Sequence, residues 1–175
     1  MIKVISGSLK GRKLKNANTN ILRPTQAKVR KSIMDSIRFF DNKKVLDLFS
    51  GIGTLGIEAL SRGAMEAKFV ENNHSIIKAL RHNIELFNLD NSAKIIKLDV
   101  MRFLKNHKDK YDIIFADPPY GTYHFKDLFP LILSLLNKKG IFCYESDYQN
   151  LDIDCGGNIK IKRYGNTQVI LWENI

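Results

Sequence analysis

Long apolar runs are missing from this 175-residue chain, and no window approaches the roughly 20 apolar residues that cross a bilayer. Its polar, basic N-terminus also lacks the apolar stretch of a signal peptide. The expectation is a cytoplasmic protein with no membrane contact. Cysteine is scarce. Cys143 and Cys155 are the only two, they make no metal spacing, and reduced thiols are expected. His74, His82, His107 and His124 show no ligand spacing either, so no metal is expected. No Ser-His-Asp or Cys-His pattern is visible, and no glycine turn runs on into Gly-Lys-Ser/Thr, which excludes a nucleotide-hydrolysing loop. Acidic residues are nearly absent from the first quarter. Residues 1–44 carry twelve Lys/Arg against Asp35 and Asp41, while the rest of the chain carries sixteen of each sign. The whole net charge of +10 therefore sits in one segment. A one-sided positive field concentrates polyanions, and nucleic acid is the expected partner.

What is present is ordinary globular chemistry, 44% hydrophobic and 26% charged, in a length that suits one domain. Residues 1–43 read as a basic extension and 44–175 as a core. Within Met1–Leu14, Ile2-Lys-Val-Ile5 and Arg12-Lys-Leu14 flank Gly7, Ser8 and Gly11, which predicts a β-hairpin with Lys10, Arg12 and Lys13 at its tip. Arg23-Pro24-Thr25 predicts an extended residue, a proline and a helix N-cap. From Gln26 to Phe40 the apolar residues Val29, Ile33, Ile37 and Phe40 recur at helical spacing, with Lys28, Lys31 and Arg38 opposite.

Strand and helix patterns then alternate. Strands are predicted at Val45–Leu48, Ala67–Val70, Ala93–Leu98, Tyr111–Ala116 and Ile141–Glu145. Helices are predicted at Thr54–Arg62, His74–Phe87, Met101–Asn106 and Phe125–Leu136. This alternation argues for a parallel sheet covered on both faces. Ile159–Tyr164 and Thr167–Trp172, joined by Gly165-Asn166, predict a closing antiparallel hairpin. The fold class is α/β, with a seven-stranded mixed sheet.

The organising stretch is Lys44–Gly56, a strand running through glycines into a helix. Such a turn lets backbone amides approach a ligand beside a helix N-terminus. Gly51, Gly53 and Gly56 fit G-x-G-x-x-G, so a dinucleotide and a sulfonium-type methyl donor both remain open at this point. Ligands in open α/β sheets sit beyond the strands' carboxyl ends. There this chain places Asp47, Glu71-Asn72, Asp99 and Asp117-Pro118-Pro119-Tyr120. Glu71 is suited to accept from two ribose hydroxyls, and Asp99 from an adenine amino group. The rigid D-P-P-Y turn presents a carboxylate, a carbonyl and an aromatic ring together. That set fits a planar base with an exocyclic amine, Tyr120 stacking while Asp117 and the Pro118 carbonyl accept from N–H. It tips the reading toward methyl transfer. A carboxylate also matches the adjacent N1–H and N2–H donors of guanine better than the donor and acceptor of adenine.

These motifs are similar to those of the class I S-adenosylmethionine-dependent amino-methyltransferases, with their Rossmann-like fold. More closely, the chain resembles the RsmD family of bacterial 16S rRNA (guanine-N2) methyltransferases. The resemblance rests on Ile5–Leu14, Leu22–Arg30, Gly56–Ala64, D-P-P-Y and Tyr144–Ser146. It implies methyl transfer from S-adenosylmethionine, giving S-adenosylhomocysteine, to N2 of a guanine in small-subunit rRNA. The RNA would be met within an assembled or assembling subunit, by a monomer. Asp47, Ser50, Gly51 and Gly53 would line the methionine end, Glu71 and Asn72 the ribose, and Asp99 with Val100 the adenine. Asp117, Pro118, Pro119 and Tyr120 would hold the target base. Arg23 and Thr25 would lie near the same pocket, with Lys10, Arg12, Lys13, Arg23 and Arg30 gripping RNA. Rival readings are an adenine-N6 methyltransferase, a nicotinamide-dependent oxidoreductase, and an RNA chaperone with a vestigial pocket.

Overall fold

The structure is a computed structural model that describes residues 2–17, 26–119, 121–147 and 156–175. Its centre is the strand β1 (Lys44–Leu48), four of whose five residues are buried. Alternation along β1 sends Val45 to one apolar cluster and Leu46 and Leu48 to the other, one on each face of the sheet. The same alternation splits Phe69 from Val70 in β2 (Glu66–Glu71), and Ile113 and Phe115 from Ile114 and Ala116 in β4 (Tyr111–Ala116). Helices α1 (Ala27–Ile37), α2 (Thr54–Ser61) and α3 (His74–Leu86) cover the first face, and α4 (Val100–Asn106) and α5 (Phe125–Leu133) the second.

The remaining strands are β3 (Ala93–Lys97), β5 (Leu136–Asp147), β6 (Asn158–Tyr164) and β7 (Thr167–Glu173). They complete a seven-stranded sheet in the order β3-β2-β1-β4-β5-β7-β6. Pairing is parallel from β3 to β5 and antiparallel where β7 meets both β5 and β6. The predicted closing hairpin is present, and its second strand inserts between β5 and β6. From β1 the chain steps outward to β2 and β3, then crosses back to β4. That reversal opens a crevice between the carboxyl ends of β1 and β4.

Three predicted boundaries are corrected. Helix α1 stops at Ile37 rather than Phe40, because Arg38 adopts φ 65° and closes it. Its N-cap is Gln26, which makes no side-chain cap bond, while Thr25 lies outside the described residues. Helix α5 ends at Leu133, three residues early, and β5 starts at Leu136 instead of Ile141. A register shift lets Leu136 pair with Tyr111 and Ile141 with Ile113, with Lys139 at φ 60° absorbing the extra length.

The N-terminal arm forms one antiparallel bridge, Lys3 with Lys13, in place of two full strands. Its inner polar groups are satisfied by α2. Glu58, buried, accepts from Ile5 N–H at 2.7 Å and Ser6 N–H at 2.9 Å, and from Arg62 Nε at 3.0 Å. Ser61 Oγ accepts from Leu9 N–H and donates to the Ser6 carbonyl. Val4, Leu9, Leu14 and Ala17 then join the cluster beneath α1 and α2. Asn83, fully buried on α3, bonds both backbone groups of Lys15 and also donates to the Ile52 carbonyl. It ties the arm to the glycine turn.

Removing the Glu58 carboxylate strands two amides and a guanidinium. Glu58→Ala should lower unfolding free energy by about 3 kcal/mol. Urea unfolding measures this, and hydrogen exchange should show the arm's amides losing protection before those of β1.

Candidate active site

The turn after β1 and the turn after β4 face each other across the crevice, because Leu48 pairs with Ala116 at the end of the β1–β4 ladder. Between them lies a cleft of about 440 Å³. Asp47 faces the α2 side of the sheet, is buried, and accepts from Gly56 N–H at 2.8 Å. A carboxylate here meets the N-terminal turn of α2, where negative charge is favoured. Gly56 is required for this approach. A Cβ there would lie 2.3 Å from the Phe69 ring and 3.0 Å from Asp47 Oδ2. Gly53, at φ 87°, starts the helix in the left-handed region. Phe49 holds φ 56° without being glycine, a strained conformation of the kind that costs roughly 1–3 kcal/mol and clusters at functional sites.

The sequence-predicted residues fall into three groups. Ser50, Gly51, Glu71, Asn72, Asp99, Val100, Asp117, Pro118 and Pro119 all line the cleft. Glu71 accepts from Gly51 N–H at 3.1 Å and from Asn72 and Asn73 N–H at 2.9 Å each, which pins the β2 end against the glycine turn. Asp99 caps α4 by accepting from Arg102 N–H, and its other oxygen accepts from the Tyr123 hydroxyl at 3.3 Å. Asp47 and Gly53 do not line the cleft. Both are buried, and Asp47 holds the turn's shape from behind through Gly56 N–H. Tyr120 and Arg23 lie outside the described residues.

Of the basic residues, Lys10, Arg12 and Lys13 are exposed on the arm. Arg12 is nonetheless engaged, donating to the Leu86 carbonyl at 2.6 Å with its guanidinium 4.5 Å above Phe87. Arg30 is corrected outright. It is 3% exposed and donates to the Lys3 carbonyl at 2.9 Å, so it supports the arm from inside. Helical period puts Arg30 on the same stripe as Ile33, Met34 and Ile37. Burial lowers its pKa, an effect opposed by the charge of Glu58.

Sequence reasoning missed Gln26, Phe49, Glu145 and Thr167 as lining residues, while Tyr123, which follows D-P-P-Y and reads either as a loop over the base or as packing, lines the cleft. Glu145, 5% exposed, follows the Tyr144 that pairs with Ala116 and therefore stands beside Asp117. Its signal was a lone acid within an apolar strand, in the Tyr144–Ser146 motif. Tyr123 spans the cleft's edge. Its ring meets Phe49 at 4.6 Å, its hydroxyl reaches Asp99, and its carbonyl accepts from the Tyr144 hydroxyl at 2.9 Å. Burial raises the Tyr123 pKa and Asp99 adds to the rise; burial pushes Tyr144 to about 12, with Asp147 adding to the rise.

The electrostatics of the lining are one-sided. Glu71, Asp99, Asp117 and Glu145 line the cleft, and no Lys, Arg or His is among the described lining residues. In a chain of net charge +10 this is a local reversal of sign. It suits a ligand carrying positive charge and opposes a pyrophosphate.

The sheet order, the antiparallel β7 and the glycine turn facing Asp117-Pro-Pro across the switch point define the Rossmann-like fold of class I methyltransferases. The chain belongs to the family described as Conserved hypothetical protein 95, which matches residues 2–173. The likeness to the RsmD family therefore holds for nearly the whole chain. A protein of Buchnera aphidicola subsp. Baizongia pistaciae, named Ribosomal RNA small subunit methyltransferase D, is 32% identical over 177 residues, covering 97% of this chain and 88% of its own. The protein of that name from the subspecies Acyrthosiphon pisum is 40% identical over 142 residues, covering 80% and 72%. Among solved structures, yhhF of Escherichia coli superposes with a TM-score of 0.85 at 27% identity, covering 99% of this chain and 97% of that one.

Among groups with shifted titration, Asp47 is the informative one. Burial pushes its carboxyl well above the usual range against the pull of the Gly56 N–H, and the Asp117 and Glu71 carboxylates add to the rise. A folded-state pKa above the unfolded one means that stability is fully present below the ordinary Asp range and is lost as pH rises. Asp47→Asn keeps an acceptor for Gly56 and removes the titration. Its urea midpoint should therefore gain on that of the parent protein as pH rises from about 4; parallel midpoints would contradict this.

Proposed function

We propose that this protein transfers a methyl group from S-adenosylmethionine to N2 of a guanine in 16S rRNA. The observation that carries the reading is the acid-lined cleft at the switch point between β1 and β4. A sulfonium with an α-ammonium group is a cation, and four carboxylates with no cation among the described lining residues favour it. A nicotinamide dinucleotide would bring two phosphates into the same field, which disfavours the oxidoreductase reading. The names carried by the Buchnera relatives support rRNA of the small subunit as the substrate.

The residues fit such a donor. Backbone N–H groups of the turn around Ser50 and Gly51 would meet its carboxylate. Glu71, which already holds three amides, has about one lone-pair site left, on Oε2, for a ribose hydroxyl. Ile76, Leu98 and Val100 offer apolar contact to the adenine, with Asp99 as acceptor at its edge. When bound, the donor supplies a methyl group on positively charged sulfur.

The target base would enter between Asp117-Pro118-Pro119 and Glu145, with Tyr120 as its stacking partner. Guanine N2 is a poor nucleophile because its lone pair is delocalised into the ring. Acceptors at Asp117 and the Pro118 carbonyl draw its hydrogens out of plane and return electron density to nitrogen. Holding N2 in line with the methyl carbon supplies the rest. The new N–C bond forms as the C–S bond breaks, the sulfur keeps that electron pair as a thioether, and N2 loses a proton to Asp117 or water. Two neighbouring carboxylates suit the N1–H and N2–H pair of guanine, which favours it over adenine.

Methyl label should pass from S-adenosylmethionine to small subunits lacking the modification and be recovered as N2-methylguanosine. Label in N6-methyladenosine would retain the enzyme class and overturn the base. Asp117→Asn should lower kcat at least 100-fold, as loss of a transition-state acceptor does, while calorimetry finds donor affinity unchanged. Equal loss of both would remove Asp117 from the target-base wall.

A further inference from the structure

Beside the acidic cleft lies a second groove of about 580 Å³ between the first turn of α1 and the β6–β7 turn. Gln26 and Thr167 belong to both, so the two form one continuous depression. Their chemistry is opposite. Lys28 and Arg163, both exposed, line the second groove, with no acid among its described lining residues. Tyr164, Gly165 and Asn166 form the rest of its hairpin wall.

The walls are held at a set distance. Lys162 Nζ crosses from β6 to α1, donating to Ser36 Oγ at 2.8 Å and Ser32 Oγ at 3.3 Å. The Tyr164 hydroxyl also donates to Ser32 Oγ. Thr167 pairs with Asp147 on β5 and Tyr164 on β6, so the hairpin wall is continuous with the sheet edge that carries Glu145. The groove is therefore pre-formed by sheet and helix, which lowers the cost of ordering it around a ligand.

A methyltransferase acting on one base of a polymer has two electrostatic tasks. The reacting end must favour a cation, and the strand that carries the base must have its phosphates neutralised. In this chain those tasks are divided between two adjoining depressions. We infer that the groove lined by Lys28 and Arg163 binds the phosphodiester backbone of the RNA strand immediately beside the base held in the cleft. This rests on the proposed methylation of RNA and adds to it the path of the strand. The path runs from the Asp117–Glu145 end of the cleft, over Gln26 and Thr167, to α1 and the β6–β7 turn. Ser32, Ser36 and Lys162 are positioning residues that keep the two walls apart.

The test compares four proteins: the parent, K28Q/R163Q, the conservative K28R/R163K, and K94Q/K97Q on β3 at the opposite edge of the sheet. Methyl transfer to unmodified small subunits gives KM and kcat, calorimetry gives donor affinity, and RNA binding is followed against salt. In K28Q/R163Q the KM for the subunit should rise several-fold, with kcat and donor affinity unchanged. Its log–log salt slope should fall by about one for each cation removed. K28R/R163K should restore both, and K94Q/K97Q should match the parent. An unchanged slope in K28Q/R163Q, or an equal fall in K94Q/K97Q, overturns the groove while leaving the methyltransferase reading intact. A parent protein that binds the donor but methylates no RNA overturns that reading, and the groove with it.

Discussion

The hydrogen bond from Gly56 N–H to the buried Asp47 carboxylate, 2.8 Å long, joins the last turn of the central strand to the first turn of the helix that follows. The residues between its ends include the turn 49–53 that borders the cleft. Burying a carboxylate is costly unless it is hydrogen-bonded or protonated; Asp47 accepts from Gly56 N–H, and burial still pushes its titration upward. The bond forms only because residue 56 has no side chain to separate helix from strand. The span it closes contains Gly53, which opens α2 in the left-handed region, Phe49 at φ 56°, and Gly51, whose N–H reaches Glu71. The cleft is thus shaped by a residue that does not line it.

A second constraint is the separation of charge. The chain's positive excess lies in its first quarter, and the arm that carries part of it is docked through Glu58 and Asn83, two buried polar side chains of the core. The acids Glu71, Asp99, Asp117 and Glu145 are gathered at the strand ends. A field that is basic outside and acidic within the cleft can draw in a polyanion while still accepting a cationic small molecule. Asn83 is the shared point of these two regions, since it holds Lys15 of the arm and Ile52 of the glycine turn with one amide group.

Much of this architecture is legible in the sequence because it is written in short-range patterns. Short apolar runs between helix patterns marked the five parallel strands, apolar alternation and the Gly165-Asn166 pair marked the last hairpin, and the polar residues closing each parallel strand marked the cleft. The nine lining residues named from sequence are those that directly follow strands, where chain direction alone decides which end they occupy. The exceptions have a common cause. Asp47 and Arg30 read as ligand-facing, but side-chain direction on a strand or helix depends on what packs against each face. Asp47 turns toward α2, and Arg30 lies on the apolar stripe of α1.

Glu145, Gln26 and Thr167 became part of the cleft only through tertiary structure. They come from β5, the start of α1 and β7, and the strand order that brings them together includes the insertion of β7 between β5 and β6. No local pattern specifies that insertion, since a hairpin can add to a sheet by either strand. The basic groove has the same origin, for Lys28 and Arg163 are more than a hundred residues apart and line one groove where β6 packs against α1, with Lys162 bonded to Ser32 and Ser36 and Tyr164 to Ser32. By itself the sequence determined the α/β order, the glycine turn, the acids at the strand ends and the basic arm, all properties of neighbouring residues. Only the tertiary structure decided which acids share one cavity and which cations border it, because those are set by sheet order and face, where residues distant in the chain come into contact.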